Sequence, residues 1–464
     1  MRVLVVSTYE LGNQPHSAAT AVAALDSAGH EVRCADLAVD PLSTGDLEWA
    51  ERVAFSVPMH TAMRLAIRVV EALKARRPGV PVCLFGLYAG AGGQLPEISA
   101  PDAVIAGEYE PALVAWADGG DPGPTVQLPR GASPVPDRSL LPGISSYSRL
   151  VVGGEERLVG SVVASRGCSH RCRHCPVPVV YAGRVRPVEE PVVIADVDQL
   201  VAAGARHLSF GDPDFFNLPR HSLRVVSAIH ARHPDVTFDA TIKVEHLLRH
   251  RGSLHQLAGA GCAFVVSAFE SVDDRLLDRL DKGHTAADAS EAVIAARRHG
   301  IEIRPSWLPF TPWTTASDLV DLLDFVVAHD LVGNVDPVQY TVRLLIPDRS
   351  LMLADPGLGA YLGDFDHARL GWTWAHPDPA LDRLQEALAQ LVEERVHLAP
   401  EATFEEIDGL VRSAARLDAS SRPRRGSTSM GPDGQRAHLS EPWFCCSEPT
   451  RAQLAPLEAL GSGG

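Results

Sequence analysis

Residues 166–175 read RGCSHRCRHC. Cys168, Cys172 and Cys175 are separated by three residues and then by two. A structural zinc takes four Cys or His ligands, usually as two separate pairs, and a disulfide framework needs an even number of thiols. A four-iron cube held by only three thiolates keeps one iron open for a small bidentate molecule. His170 and His174 are the residues that would complete a zinc site instead. Arg166, Arg171, Arg173, Arg184 and Arg186 flank the loop. Cations there favour an anionic cluster and a bound carboxylate.

The elements around this loop say what must position it. From about residue 156 the sequence alternates strand and helix patterns. The strand runs are LVGSVVASR, HLSFGD, TFDATIKV, FVVSAFES, EIRPSWLPF and NVDPVQYTVRLLIP. Six such units predict a partial (β/α)6 TIM-type barrel, in which chemistry sits on the loops that follow the strands. The cysteine loop follows the first strand directly. Asp212 and Asp214 end the second strand, Lys243 and Glu245 the third, Glu270 the fourth, and Arg343 lies in the sixth. A lone charge at a strand end is as often a rim ion pair as a ligand contact.

A different series precedes the barrel. VLVVST, EVRCADL, VAFSVP, PVCLFGL and DAVIAGE read as buried parallel strands with helical patterns between them. They predict a Rossmann-like (flavodoxin-like) doubly wound sheet, which binds ligands at the carboxyl ends of its strands. The expected organisation is this sheet over 1–120, a Gly/Pro-rich linker over 121–155 and the barrel over 156–347. A mostly helical extension over 348–417 and a mobile segment with a Cys-Cys tail over 418–464 complete the chain. The fold class is therefore α/β with a helical or irregular C-terminal extension.

Composition bounds the rest. At 464 residues the chain exceeds one ordinary core. The formal net charge of −16 disfavours nucleic acid or an anionic membrane as partner. No apolar run approaches the ~20 residues of a membrane span, and the apolar start MRVLVVST is too short for a signal peptide. Five of the eight cysteines fall in two tight clusters, 168–175 and Cys445-Cys446. That distribution points to metal or redox chemistry in a reducing cytoplasm. Cys34, Cys83 and Cys262 sit in apolar contexts and read as core residues.

CxxxCxxC after the first strand of a six-unit barrel resembles the radical S-adenosylmethionine (SAM) superfamily. The resemblance implies a [4Fe-4S] cluster on Cys168, Cys172 and Cys175, with SAM chelated at the open iron. It also implies reductive cleavage to a 5′-deoxyadenosyl radical and a flavodoxin- or ferredoxin-type reductant. It implies SAM contacts at Asp212, Lys243, Glu270 and Arg343, although the usual Gly-Gly-Glu after the second strand is replaced by Gly211-Asp212-Pro213. The N-terminal sheet, ending in GEYEPAL, is similar to the cobalamin-binding domain of one large subclass, whose Asp-x-His-x-x-Gly signature is missing here. Cobalamin is thus a further implied cofactor, and a cobalamin-dependent radical SAM methyltransferase an alternative function.

WFCCSEP near the end of the sequence resembles the tail of a radical SAM group named for its Cys-Cys-Ala-Glu-Pro or Cys-selenocysteine-Ala-Glu-Pro ending, with Ser447 in place of Ala. It implies an active-site role for Cys445 and Cys446 on a small-molecule or peptide substrate. An alternative of another class is a non-catalytic iron–sulfur electron carrier or sensor.

Overall fold

The computed structural model describes residues 1–91, 95, 99–417 and 436–441. The first sheet contains β1 (Arg2–Ser7), β2 (Glu31–Asp36), β3 (Arg52–Ser56), β4 (Val82–Phe85), β5 (Ala103–Gly107) and β6 (Val126–Gln127). Its order is β2-β1-β3-β4-β5-β6, parallel throughout. β1, β3 and β4 are continuous apolar runs because both their faces are covered. The helices His16–Ser27 and Glu110–Ala117 pack Ala18, Val22, Leu25, Leu113 and Trp116 on one face. The helix His60–Arg76 packs Met63, Ala66, Val70 and Leu73 on the other. With this order the progression of successive strands reverses between β1 and β3, where such sheets take ligands.

The second sheet begins with a hairpin, β7 (Arg149–Val152) and β8 (Glu155–Val162), turned at Gly153 and Gly154, both at positive φ. A short antiparallel pair, β9 (Ser165–Gly167) and β10 (Val185–Pro187), brackets the cysteine loop. The parallel strands β11 (His207–Phe210), β12 (Thr237–Thr241), β13 (Cys262–Glu270) and β14 (Glu302–Trp307) then continue from β8 in the order β14-β13-β12-β11-β8. The sheet curls as a half-barrel around a core that includes Phe210, Phe215, Phe238, Phe269 and Trp307.

The expected sixth strand is a correction. Residues 332–341 form 3-10 turns, and only an isolated bridge between Phe310 and Arg343 continues the sheet. Pro337 lacks the N–H a ladder needs and starts a turn at Asp336. Residues 348–417 contain a hairpin, β15 (Leu362–Asp366) with β16 (Gly371–Trp374), besides the helices Pro379–Glu394 and Pro400–Ala414.

Two stretches that read as flexible are tied down. In the Gly/Pro-rich linker, Arg138 is buried and binds both oxygens of Asp196, the carbonyl of Ser161 and Gln14 Oε1. One guanidinium thus joins the first sheet's β1 loop to the barrel. Residues 436–441 are also placed: β17 (His438–Leu439) pairs antiparallel with β7, and Arg436 reaches Asp330 and Asn334.

Glu10, buried after β1, accepts from the His16 amide at 3.1 Å, and burial pushes its pKa up to about 7. From about pH 4.5 to 7 the folded chain keeps a proton on Glu10 that the unfolded chain has released, so this group's contribution to stability falls as pH rises. Glu10→Gln should therefore gain on the parent between pH 5 and pH 8. The gain should be on the order of 3 kcal/mol. Denaturant titrations at both pH values measure it, and an equal difference at both would refute it.

Candidate functional site

The loop that carries the cysteines is shaped before Cys168 is reached. Gly167 has φ +76°, and a Cβ there would lie 2.3 Å from the Arg184 carbonyl oxygen and 2.5 Å from the Tyr181 ring. Only glycine fits. Asp212, on the loop after β11, accepts from the Ala164 amide at 2.8 Å and from Ser165 Oγ at 2.5 Å. Burial pushes its pKa up to about 7. Asn217 Oδ1 accepts from the Ser169 amide (3.0 Å) and hydroxyl (2.8 Å) and lies 3.6 Å from Cys168 Sγ. The loop after β11 thus templates the cysteine loop. Gly167→Ala should fold but bind little iron, and an iron content like the parent's would show that the turn is dispensable.

Cys172 is buried, and Cys168 and Cys175 are partly so. Burial pushes the Cys175 thiol up to about 12 and raises that of Cys168. Ligand capture must therefore supply the charge that lets them ionise. Among the described residues, the only three Cys, His, Asp or Glu side chains with ligand atoms all within 4.8 Å of one another are His170, Asp214 and His246. The three sulfurs form no such group. A single zinc would need them roughly 3.8 Å apart, given a Zn–S bond of ~2.3 Å. In a multi-iron cluster, by contrast, each thiolate binds a different metal atom.

Charge around the loop is arranged to match. Glu270 ends β13 at φ +64°, where the ladder with β14 shifts register. Its Oε1 accepts from Lys282 Nζ at 3.0 Å and His174 Nε2 at 3.1 Å. Burial alone would raise this carboxyl, but Lys282 and then His174 outweigh it and hold it far below the usual range. Burial opposes the charge on Lys282, but Glu270 and then the Cys172 and Cys175 thiolates outweigh it. It is therefore a cation that thiolates on the loop would favour. Lys243, on the loop after β12, donates to His170 Nδ1 at 3.0 Å and lies 3.5 Å from Glu245 Oε2. Burial first, then Lys243 and His246, push His170 down to about 4, so it is neutral near pH 7.

The first sheet clamps the loop from the other side. Arg166, its side chain 12% exposed, lies between Glu108 Oε2 (3.3 Å) and Glu110 Oε1 (2.6 Å), with its guanidinium 5.3 Å from the Tyr109 ring centre. Tyr181 donates to Glu108 at 3.1 Å. Ala106, Val177, Val180 and Tyr181 pack between the two domains, with Cys168 and Cys175 at their edge.

The structure brings Cys168, Cys172, Cys175, Asp212, Lys243 and Glu270 to the carboxyl ends of β8 and β11–β13. Arg343 stands apart, bound to Asp382 Oδ1 at 2.6 Å and stacked over Trp374 at 3.5 Å. It lines a cavity of about 390 Å³ with His60, Arg369, Trp372 and Glu386. Cys445 and Cys446 lie outside the described residues. Lys282 and His246 escaped the sequence reading. Lys282 follows the helix Asp274–Arg279 and His246 lies inside the helix Val244–Arg249, with no local pattern that separates either from a surface residue.

Residues 162–326 match the Radical SAM superfamily. Over 219 residues the chain is 24% identical to an uncharacterized methyltransferase, PH0819, of Pyrococcus horikoshii, covering 47% of this chain and 45% of that protein. It is 24% identical over 172 residues to the ribosomal protein uS12 methylthiotransferase RimO of Porphyromonas gingivalis, covering 35% and 39%. The chain thus spans less than half the length of these curated relatives. Among solved structures it is similar to the cobalamin-dependent SAM radical enzyme OxsB, with aqua-cobalamin bound (TM-score 0.67, 14% identity, 89% of this chain and 71% of that one). It is also similar to the radical SAM methyltransferase TsrM of Kitasatospora setae, with cobalamin and a [4Fe-4S] cluster bound (TM-score 0.61, 17% identity, 93% of each chain). Both likenesses extend over the first sheet as well as the half-barrel.

Proposed function

We propose that this chain, whose residues 162–326 form a radical SAM domain, is an enzyme that reductively cleaves SAM and turns the resulting radical on a small-molecule or peptide substrate. The observation that carries the reading is the loop itself. Three cysteines follow β8 at its carboxyl end, and two of them, Cys172 and Cys175, interact electrostatically with the buried ammonium of Lys282. A [4Fe-4S] cluster on Cys168, Cys172 and Cys175 would supply one electron and an open iron for the amino and carboxylate groups of SAM. A flavodoxin- or ferredoxin-type protein is the reductant this chemistry calls for.

The chain's own groups have separate roles in this reading. Asp212 holds the turn into the loop through Ala164 and Ser165. Glu270 fixes Lys282 and His174 beside the thiolates. Lys243, only 7% exposed, offers a cation to the SAM carboxylate at the mouth. The test is the electron paramagnetic resonance spectrum of the reduced, cluster-loaded protein. SAM should change its g-values, as direct ligation of an iron requires. A spectrum indifferent to SAM would favour an electron carrier.

A second reading, cobalamin-dependent methyl transfer, is favoured by the likeness to OxsB and TsrM across the first sheet. The described cavities at its strand ends measure about 390 Å³ beside His60 and about 380 Å³ beside Thr8, Tyr9 and Leu37. Each lies within the range for a small-molecule site, ~300–1,000 Å³. A corrinoid absorption spectrum in stoichiometric amount from anaerobically purified protein would establish this second reading.

Cys445 and Cys446 follow Glu441, which lines the cavity at the ends of β1 and β2. In our reading they act on the substrate and not on the cluster. Cys446→Ser should keep the iron and SAM cleavage without substrate while abolishing substrate turnover. Parent-like turnover would make these cysteines passengers.

A further inference from the structure

We propose that His170, Asp214 and His246 bind one divalent transition-metal ion, distinct from the cluster that the three cysteines would hold. The three side chains come from separate elements: the cysteine loop, the loop after β11 and the helix Val244–Arg249 after β12. Their ligand atoms all lie within 4.8 Å of one another. Asp214 and His246 are 2% and 4% exposed.

The hydrogen bonding leaves this group incomplete. Asp214 Oδ1 accepts from the Phe216 amide at 3.0 Å. Asp214 Oδ2 and His246 Nδ1 lie 2.7 Å apart, yet neither makes an aligned hydrogen bond. His170 Nε2 and His246 Nε2 face each other at 3.1 Å. Nitrogen and oxygen atoms that are close, buried and imperfectly bonded suit a shared cation, since an unsatisfied buried carboxylate is costly.

The surroundings carry the charge for it. Glu245 Oε2 lies 3.6 Å from His170 Nδ1, where it can accept the ring N–H and leave Nε2 free to ligate. Lys243, 3.0 Å from the same Nδ1, would give up that bond, which leaves its ammonium for the SAM carboxylate. Asp214 and Glu245 are balanced by Lys243 and by Arg249, which pairs with Glu245, so the carboxylate nearest the two imidazoles, Asp214, is the anionic ligand an ion would meet. Two imidazoles and one carboxylate are a ligand set for Fe²⁺ or Zn²⁺ with positions left open. Such an ion would staple the middle of the cysteine loop to the ends of β11 and β12.

The test uses the full chain with its iron–sulfur cluster installed, titrated anaerobically with Zn²⁺ against a chromogenic chelator. One Zn²⁺ should bind per chain beyond the cluster iron. His246→Gln and Asp214→Asn should weaken it by roughly 100-fold or more while iron content is unchanged. Zinc-edge X-ray absorption of the parent protein should show nitrogen and oxygen neighbours with imidazole scattering and no sulfur. This readout decides even if the variants fail to fold. No zinc retained by the cluster-loaded parent, or zinc bound through sulfur, overturns the proposal. So does affinity that ignores both substitutions in folded variants.

Discussion

Cys172→Ala should yield a folded, colourless protein with no cluster iron above background and no SAM cleavage. Cys172 is the buried middle member of the three. Two remaining thiolates cannot hold a cube that is already one ligand short. The lost side chain is small, and the half-barrel core does not depend on it, so circular dichroism and the unfolding midpoint should change little. Cys262→Ala is the matched control. Cys262 is equally buried, but it packs in the core at the start of β13, so iron content should be untouched. If Cys172→Ala kept its cluster, the ligands would have to be sought elsewhere.

The second large effect is expected at Arg166. Arg166→Met would leave Glu108 and Glu110 facing each other at the domain boundary without their cation. Removing one partner of a buried ion pair typically costs about 3–5 kcal/mol, because the other charge stays behind. Burial already raises the carboxyl of Glu108, with Arg166 the main group opposing that rise. The loss should therefore deepen as pH rises and Glu108 is forced to ionise. Adding Glu108→Gln and Glu110→Gln should recover most of it. Because Arg166 is two residues from Cys168, the single variant should also bind its cluster less completely. A loss below about 1 kcal/mol would mean that water reaches these carboxylates and that the clamp is a surface contact.

What was legible in the sequence follows from how local each signal is. β1, β3 and β4 announce themselves as short apolar runs because both faces are buried, and all five expected strands of the first sheet are present. The cysteine loop is legible because its three cysteines fall within eight residues. The strand-end charges are legible as positions but not as partners. Glu270 finds Lys282 across a helix and a turn, and Asp212 reaches back forty-seven residues to Ser165. Such pairings depend on the curl of the sheet, which no local pattern encodes. Arg343 was placed on a strand by its apolar neighbours. Pro337 instead breaks the ladder, and Asp382 and Trp374 claim the guanidinium. The pairing of residues 438–439 with β7 was also hidden, since polar segments pair through their backbone alone.

The central claim is that the chain cleaves SAM reductively at a cluster on Cys168, Cys172 and Cys175. Its most direct test is product analysis of the cluster-loaded protein incubated anaerobically with SAM and a strong reductant. 5′-Deoxyadenosine and methionine should accumulate in equal amounts, and neither should form with Cys172→Ala. A fully assembled cluster that yields neither product would contradict the account and leave an electron carrier in its place.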